Sequence, residues 1–259
     1  MQRFLPSPLL ANAFVLLLTA ALFSACKKDP TPEKGQLALA FENVVGNQQL
    51  VLGSPTYYTT AAGDQFKVTK FNYFISNIKL TRNDGTEWAE PESYHLVKQA
   101  EPDSKAFTLQ GIPAGDYTKM TFTIGVDSAR NTSGAQTGAL DQLNDMYWSW
   151  SSGYIFLKLE GNSPQAPNTG ALQYHVGGFR KPNNTIRTVS PALPAGVTLQ
   201  IRSEKTQTVH LKADVLKMFA GPNTIRFAQM PNTGHSSDPR SMLLADNYAA
   251  AMFRIDQIH

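Results

Sequence analysis

Apolar residues alternate with polar ones in short runs along most of this chain, the two-residue period of β-strands. Leu37, Leu39 and Phe41 alternate with smaller residues, so ordered structure is predicted to begin at Gln36. Phe66 to Val68 reads as another strand, followed by a long run from Phe71 to Leu80. In that run Phe71, Tyr73 and Ile75 lie on one face and Phe74, Ile78 and Leu80 on the other. A strand apolar on both faces is expected to be central and covered on both sides. The pattern predicts further strands over 94–97, 106–109, 116–126, 154–159, 172–176, 187–189, 197–202 and 206–213. Turn clusters punctuate them, among them Asn83-Asp84-Gly85, Gly111-Ile112-Pro113-Ala114-Gly115 and Pro194-Ala195-Gly196.

Helical periodicity is scarce. Asp214 can cap a turn or two through Val215–Ala220, and Asp238-Pro239 is a stronger helix start. Beyond it Met242, Ala245, Ala249, Met252 and Phe253 fall on one helical stripe that is expected to face the core. The fold class is therefore all-β: one sandwich-like domain with a short C-terminal helix. No internal repeat is visible.

The N-terminus departs from this pattern. Arg3 precedes an apolar stretch from Leu9 to Leu22, too short for a comfortable membrane span, and Phe23-Ser24-Ala25-Cys26 follows. That is the layout of a secretory signal, and the cysteine at the cleavage point resembles the lipobox of bacterial lipoproteins. Residues 1–25 are read as the signal, Cys26 as the lipidation site, 26–35 as a polar tether and 36–259 as the folded domain. Export to the periplasm or cell surface follows, with a lipid anchor in the outer membrane as the membrane contact. About 230 residues then remain, enough for one large core.

Composition narrows the chemistry. Cys26 is the only cysteine, so disulfides, thiolate metal sites and cysteine nucleophiles are excluded from the mature domain. The net charge of +3 is small and the basic residues are scattered, which gives no footprint for nucleic acid. Any metal must be held by His, carboxylate, Met or rarer ligands.

The segment from Gly125 to Gly161 stands apart. A connection of roughly 28 residues between strands is long enough to suggest function. It carries Met146-Tyr147-Trp148-Ser149-Trp150-Ser151-Ser152-Gly153-Tyr154. If extended, Trp148 and Trp150 point the same way and form one aromatic surface with Tyr147 and Tyr154. Such a surface either closes the end of the sandwich, binds a glycan or partner protein, or borders a metal site. Further on, Tyr174-His175-Val176-Gly177-Gly178-Phe179 places His175 on the strand face opposite Tyr174 and Val176. Neutral imidazole is a common metal ligand, and the glycines that follow permit close backbone approach. His235 sits in a loop before the helix and His95 in a short strand. No closely spaced pair of histidines occurs, so a metal site must be assembled from distant segments. Asp127, Asn131, Asp141 and Asp145 make calcium a minor alternative, although their spacing does not match an EF-hand. Nothing in the chain marks a nucleophile, and it is not expected to be an enzyme.

These residues carry a resemblance. Phe71-Asn72-Tyr73-Phe74-Ile75-Ser76-Asn77-Ile78-Lys79-Leu80, Pro113-Ala114-Gly115-Asp116-Tyr117, Gly125-Val126-Asp127 and Gly138-Ala139-Leu140-Asp141 are similar to the MbnP-like proteins. The Met-x-Trp-x-Trp…Gly-Tyr block at 146–154 and the His175-Val176-Gly177 step complete the likeness. The resemblance implies an exported β-rich protein that binds copper, connected with methanobactin transport, an outer-membrane transporter and a dihaem peroxidase-like partner. It implies copper held by histidines and by a kynurenine made from a tryptophan. By position His175 matches a family ligand, and either Trp148 or Trp150 matches the oxidised tryptophan. Relatives carry a second histidine where this chain has Ser76. Either another residue replaces it, His235 first and His95 second, or this branch has lost the site.

Overall fold

The computed structural model describes Met1, Gln2 and residues 33–259, so Cys26 and all of the expected signal beyond Gln2 lie outside the described residues. The strands are β1 (Lys34–Val45), β2 (Gln48–Gln49), β3 (Tyr58–Thr59), β4 (Gln65–Arg82), β5 (Glu87–Ala89), β6 (Tyr94–Lys98), β7 (Ala106–Pro113) and β8 (Gly115–Ile124). They continue with β9 (Tyr147–Ser149), β10 (Gly153–Asn162), β11 (Ala171–Gly177), β12 (Arg187–Val189), β13 (Leu199–Ile201), β14 (Gln207–Asp214), β15 (Asn232–Thr233) and β16 (Phe253–Ile258). Among the described residues three α-helices interrupt them, α1 (Ser128–Asn131), α2 (Leu216–Phe219) and α3 (Arg240–Ala251), besides short 3-10 turns. Among the described residues no helix is long and apolar enough to cross a membrane.

Two sheets result. The smaller runs β16-β14-β1-β2, with β7 along the free side of β1; the larger runs β12-β8-β4-β10-β11-β15. The two expected strands at 66–68 and 71–80 are one 18-residue strand, β4, and its sequence explains why it is central. Tyr73 pairs with Leu157 on one side and Val97 on the other, while Ile75 pairs with Ile124 and His95. Phe71, Tyr73 and Ile75 face the smaller sheet, where Leu37, Leu39 and Phe41 of β1 meet them in the main core. Phe41 packs edge-on against Tyr73 with ring centroids 6.3 Å apart, and the Tyr73 hydroxyl donates to Asn43 Oδ1 at 2.8 Å.

The opposite face of β4 carries a second cluster. Phe74, Leu96, Val126, Leu140, Met146, Tyr154, Ile155, Phe156 and Phe179 pack there beneath the connection between β8 and β10. The register of β10 slips between Ile155 and Leu157, so that Ile155 and Phe156 both join this outer cluster while Leu157 returns to the main core. One bulge thus serves two cores.

The long connection is held by one buried amide. Asn131 Nδ2 donates to the carbonyls of Val126 and Asp127 at 2.7 and 2.9 Å, and its Oδ1 accepts from the Tyr154 amide at 2.9 Å. Gly153 is in the left-handed region with φ of +75°, and a Cβ there would run into the Asn131 carboxamide, so only glycine fits. The helix stripe faces the core with one change. Of the expected residues Ala245, Met252 and Phe253 are buried and Ala249 packs against the core, while Met242 is only half-buried and Leu244 and Tyr248 widen the buried face; Asp238 accepts from the Arg240 amide at the helix start. The strand after the helix, β16, has no counterpart in the expected pattern; it pairs with β14 through Ala213 and Phe253.

Candidate metal centre

The outer face of β11 presents His175, because Tyr174 and Val176 point into the main core. In register, His175 lies beside Lys158 of β10, which lies beside Asn72 of β4 and then Lys98 of β6. The next row holds Gln173, Glu160 and Lys70. A band of polar side chains therefore crosses four strands next to the outer apolar cluster.

His175 is half-buried and donates from Nε2 to Glu160 Oε1 at 2.8 Å. A carboxylate oxygen can only accept, so the ring carries its proton on Nε2 and keeps its lone pair on Nδ1. Among the described residues Nδ1 makes no hydrogen bond, and it is not among the sealed polar atoms that lack a partner. It is open to a ligand. Burial lowers the His175 pKa below its ordinary value, the hydrogen bond it donates to Glu160 opposes this in part, and the charge of Lys158 lowers it further. The imidazole is accordingly neutral at pH 7, the form that binds metals.

Charges around it are paired. Lys158 is only 3% exposed, and its Nζ lies 2.9 Å from Asp145 Oδ2 and also donates to the Asp145 carbonyl. Lys70 Nζ stands 3.0 Å from the same carboxylate and 4.0 Å from Glu160 Oε2. Burial works against ionisation of Asp145, yet hydrogen bonds and charge from Lys158 and Lys70 hold its pKa below the usual carboxylate range. A continuous chain of contacts thus runs from His175 through Glu160 and Lys70 to Asp145, three residues before Trp148.

Trp148 itself completes the arrangement. A Cβ built on Gly177 would lie 2.7 Å from Trp148 Cζ3 and 3.0 Å from Cη2, so the indole rests on the backbone of Gly177. Gly177 shares a strand face with His175 two residues away, about 6.6 Å along the strand. The indole thus packs on the strand that displays the imidazole.

The other expected residues are distributed unevenly. Trp150 sits at the tip of the β9–β10 hairpin, 82% exposed, and does not share a face with Trp148. Tyr154 is buried, its hydroxyl donating to the Leu140 carbonyl at 2.7 Å, and Tyr147 packs against it with centroids 4.9 Å apart. The single aromatic surface expected from the extended reading is therefore absent, because a tight turn at 150–152 sends the two tryptophans apart. His235 is exposed in the loop that follows β15. That strand pairs in parallel with β11 at Tyr174 and Thr233, and a Cβ on Gly178 would meet the Ser236 carbonyl. The loop carrying His235 consequently runs along the end of the strand that carries His175.

His95 is placed differently from the expectation. It lies on the same face as Ile75 and Val97, stacked 3.6 Å from the ring of Phe107, with Nε2 2.9 Å from Glu90 Oε2. That face points to the smaller sheet while His175 points away, so the two cannot meet at one ion. Ser76 is fully buried, and its hydroxyl donates to the Gly125 carbonyl at 2.7 Å. From strand spacing and register it stands roughly 15 Å from His175. The oxygen donors of the long connection are each spent on protein. Asp127 accepts from the Arg130 amide and Tyr94, Asp141 accepts from the Leu143 amide, Asn131 binds backbone, and Asp145 binds lysines. Among the described residues no three of His, Cys, Asp and Glu converge as a ready-made metal site. The structure adds Glu160, Lys158 and Lys70 to the site, and it gives the close approach expected at the glycines after His175 a partner in Trp148. The only trace of the three charged residues in the sequence is the alternation of Lys158 and Glu160 with Leu157 and Leu159.

The molecule is thus a two-sheet β-protein that offers one free imidazole nitrogen beside an indole. A family model described as MbnP matches residues 34–237, and the chain belongs to the MbnP family. Among solved structures it is similar to MbnP from Methylosinus trichosporium, at 14% identity and a TM-score of 0.50, over 86% of this chain and 98% of that one. At that identity the likeness speaks for the fold. No curated protein matches the chain.

Two outcomes follow from the geometry. Gly177→Ala is expected to push the Trp148 indole off the strand, seen as a red shift of tryptophan emission and a stability loss of about 1–3 kcal/mol; unchanged emission would contradict the contact. The imidazole of His175 is expected to titrate below about 6.5 by NMR. Because its folded pKa lies under the unfolded one, its contribution to stability is complete above about pH 6.5 and is lost as the pH falls from there through the lower folded pKa.

Proposed function

We propose that this chain is an exported copper-binding protein that carries a copper ion as cargo, for acquisition, storage or delivery, and is not itself an enzyme. One observation carries the reading: a neutral imidazole with a free Nδ1, set on the same strand face as an indole seated on Gly177. Neutral nitrogen donors suit copper. A single imidazole is too little for a stable site, and the loop beside Gly178 can supply His235 as a second. Membership of the MbnP family supports the same chemistry.

Trp148, rather than Trp150, is the tryptophan placed to take part. Its indole nitrogen is a hydrogen-bond donor only and cannot ligate as it stands. Oxidation to a kynurenine by a dihaem peroxidase-like partner, as the family resemblance implies, would turn it into a ligand. The Cys26 lipid then tethers the protein to the outer membrane at the periplasmic or cell-surface side, within reach of an outer-membrane transporter.

The competing reading, a metal-independent lipoprotein that binds a glycan or partner protein, keeps one supporting feature. Trp150 stands out at its hairpin tip, beside a cleft lined by Tyr147 and Arg180. Titration of purified protein with copper separates the two. One equivalent is expected to bind, with affinity at least tenfold weaker in His175→Ala, weakened in His235→Ala, and unchanged in His95→Ala and Trp150→Phe. Equal binding by His175→Ala would remove the basis of the copper reading.

A further inference from the structure

We propose that Glu160 is the positioning residue of this centre, holding His175 in the Nε2–H tautomer so that Nδ1 is the nitrogen offered to a metal. This rests on the reading of His175 as a ligand, but its first consequence belongs to the metal-free protein.

Glu160 Oε1 accepts from His175 Nε2 at 2.8 Å, and its Oε2 lies 4.0 Å from Lys70 Nζ. It is held by the ladder as well, since Glu160 pairs with Gln173 on one side and Lys70 on the other. A surface carboxylate beside a histidine is commonly an exposed ion pair of little consequence. Here the imidazole is half-buried and its Nε2 lies 2.8 Å from a carboxylate oxygen, which can only accept. The contact is therefore a directional hydrogen bond donated by the ring, and it selects which nitrogen keeps the proton. A carboxylate that accepts from the distal N–H of a metal-binding histidine also makes the other nitrogen a better donor, and removing such partners costs 10- to 100-fold in metal affinity.

Lys70 gives the carboxylate a reason to stay. Its ammonium is held 3.0 Å from Asp145, whose carboxylate also neutralises the buried Lys158. Asp145 is three residues from Trp148, so the contacts that orient the imidazole continue into the segment that carries the indole.

Side-chain nitrogen–proton correlation NMR on the metal-free protein tests the tautomer. The wild type is expected to show His175 as a single Nε2–H form. Glu160→Leu, which offers no acceptor, is expected to show a mixture of the two tautomers. Glu160→Gln keeps an acceptor oxygen and is expected to restore the wild-type pattern. Copper uptake by equilibrium dialysis, with the folded state checked by circular dichroism, is expected to weaken 10- to 100-fold in Glu160→Leu and much less in Glu160→Gln. An Nδ1–H form in the wild type, or a Glu160→Leu protein with unchanged tautomer and unchanged uptake, would overturn the inference. The two failures are distinct. A wild type with the Nε2–H form but no copper uptake overturns the copper reading and bears out the tautomer assignment to Glu160.

Discussion

The contact between the Trp148 indole and the bare backbone of Gly177 is the constraint on which the candidate centre depends. It brings a segment from the long β8–β10 connection onto the strand that displays His175. Any side chain at position 177 would occupy the same space. The contact is possible only because the connection is itself immobilised. Asn131 ties it to the start of β10, Tyr154 anchors it to Leu140, and the outer apolar cluster fills the space beneath. Packing on the outer face of the large sheet therefore does more than shield β4. It sets the position of the aromatic ring relative to the imidazole.

Electrostatics then decides what the imidazole can do. Three lysines, Lys70, Lys98 and Lys158, line the polar band, which would repel a bound cation if they were unpaired. Asp145 takes Lys70 and Lys158, and Glu101 and Asn144 take Lys98. Glu160 meets Lys70 and His175 together. The result is a half-buried neutral ring amid satisfied charges, with one nitrogen committed and one free. The outer cluster and the polar band share the same strands, so the apolar and polar halves of this face are set by a single register.

Much of the architecture was legible in the alternation of side chains. Strands β1, β4, β6, β10, β11 and β14 follow from runs such as Leu37-Ala38-Leu39-Ala40-Phe41, because burial on one face imposes a period of two. The β12 pattern at 187–189 matches its observed span. What the sequence did not disclose depends on pairing. The two-residue strands β2 and β15 have too few positions to show a period, and β9 is hidden inside the long connection. The bulge at Phe156 exists only in relation to Val176 and Gly177 across the ladder. His175 and Trp148 could be singled out by residue type, and their meeting rests on a turn and a glycine. His95 was ranked as a ligand by chemistry alone, and strand parity turned it to the other face. Glu160 was invisible as a partner because its neighbour is 15 positions away in the chain and adjacent only across β10 and β11.

The most direct test of the account is a crystal structure of the copper-loaded protein with an anomalous difference map at the copper edge. The predicted result is one strong peak on the outer face of β11, bonded to Nδ1 of His175, beside the Trp148 ring and with the Nε2–Glu160 hydrogen bond intact. A peak elsewhere on the molecule, or copper bound with His175 untouched, would contradict it.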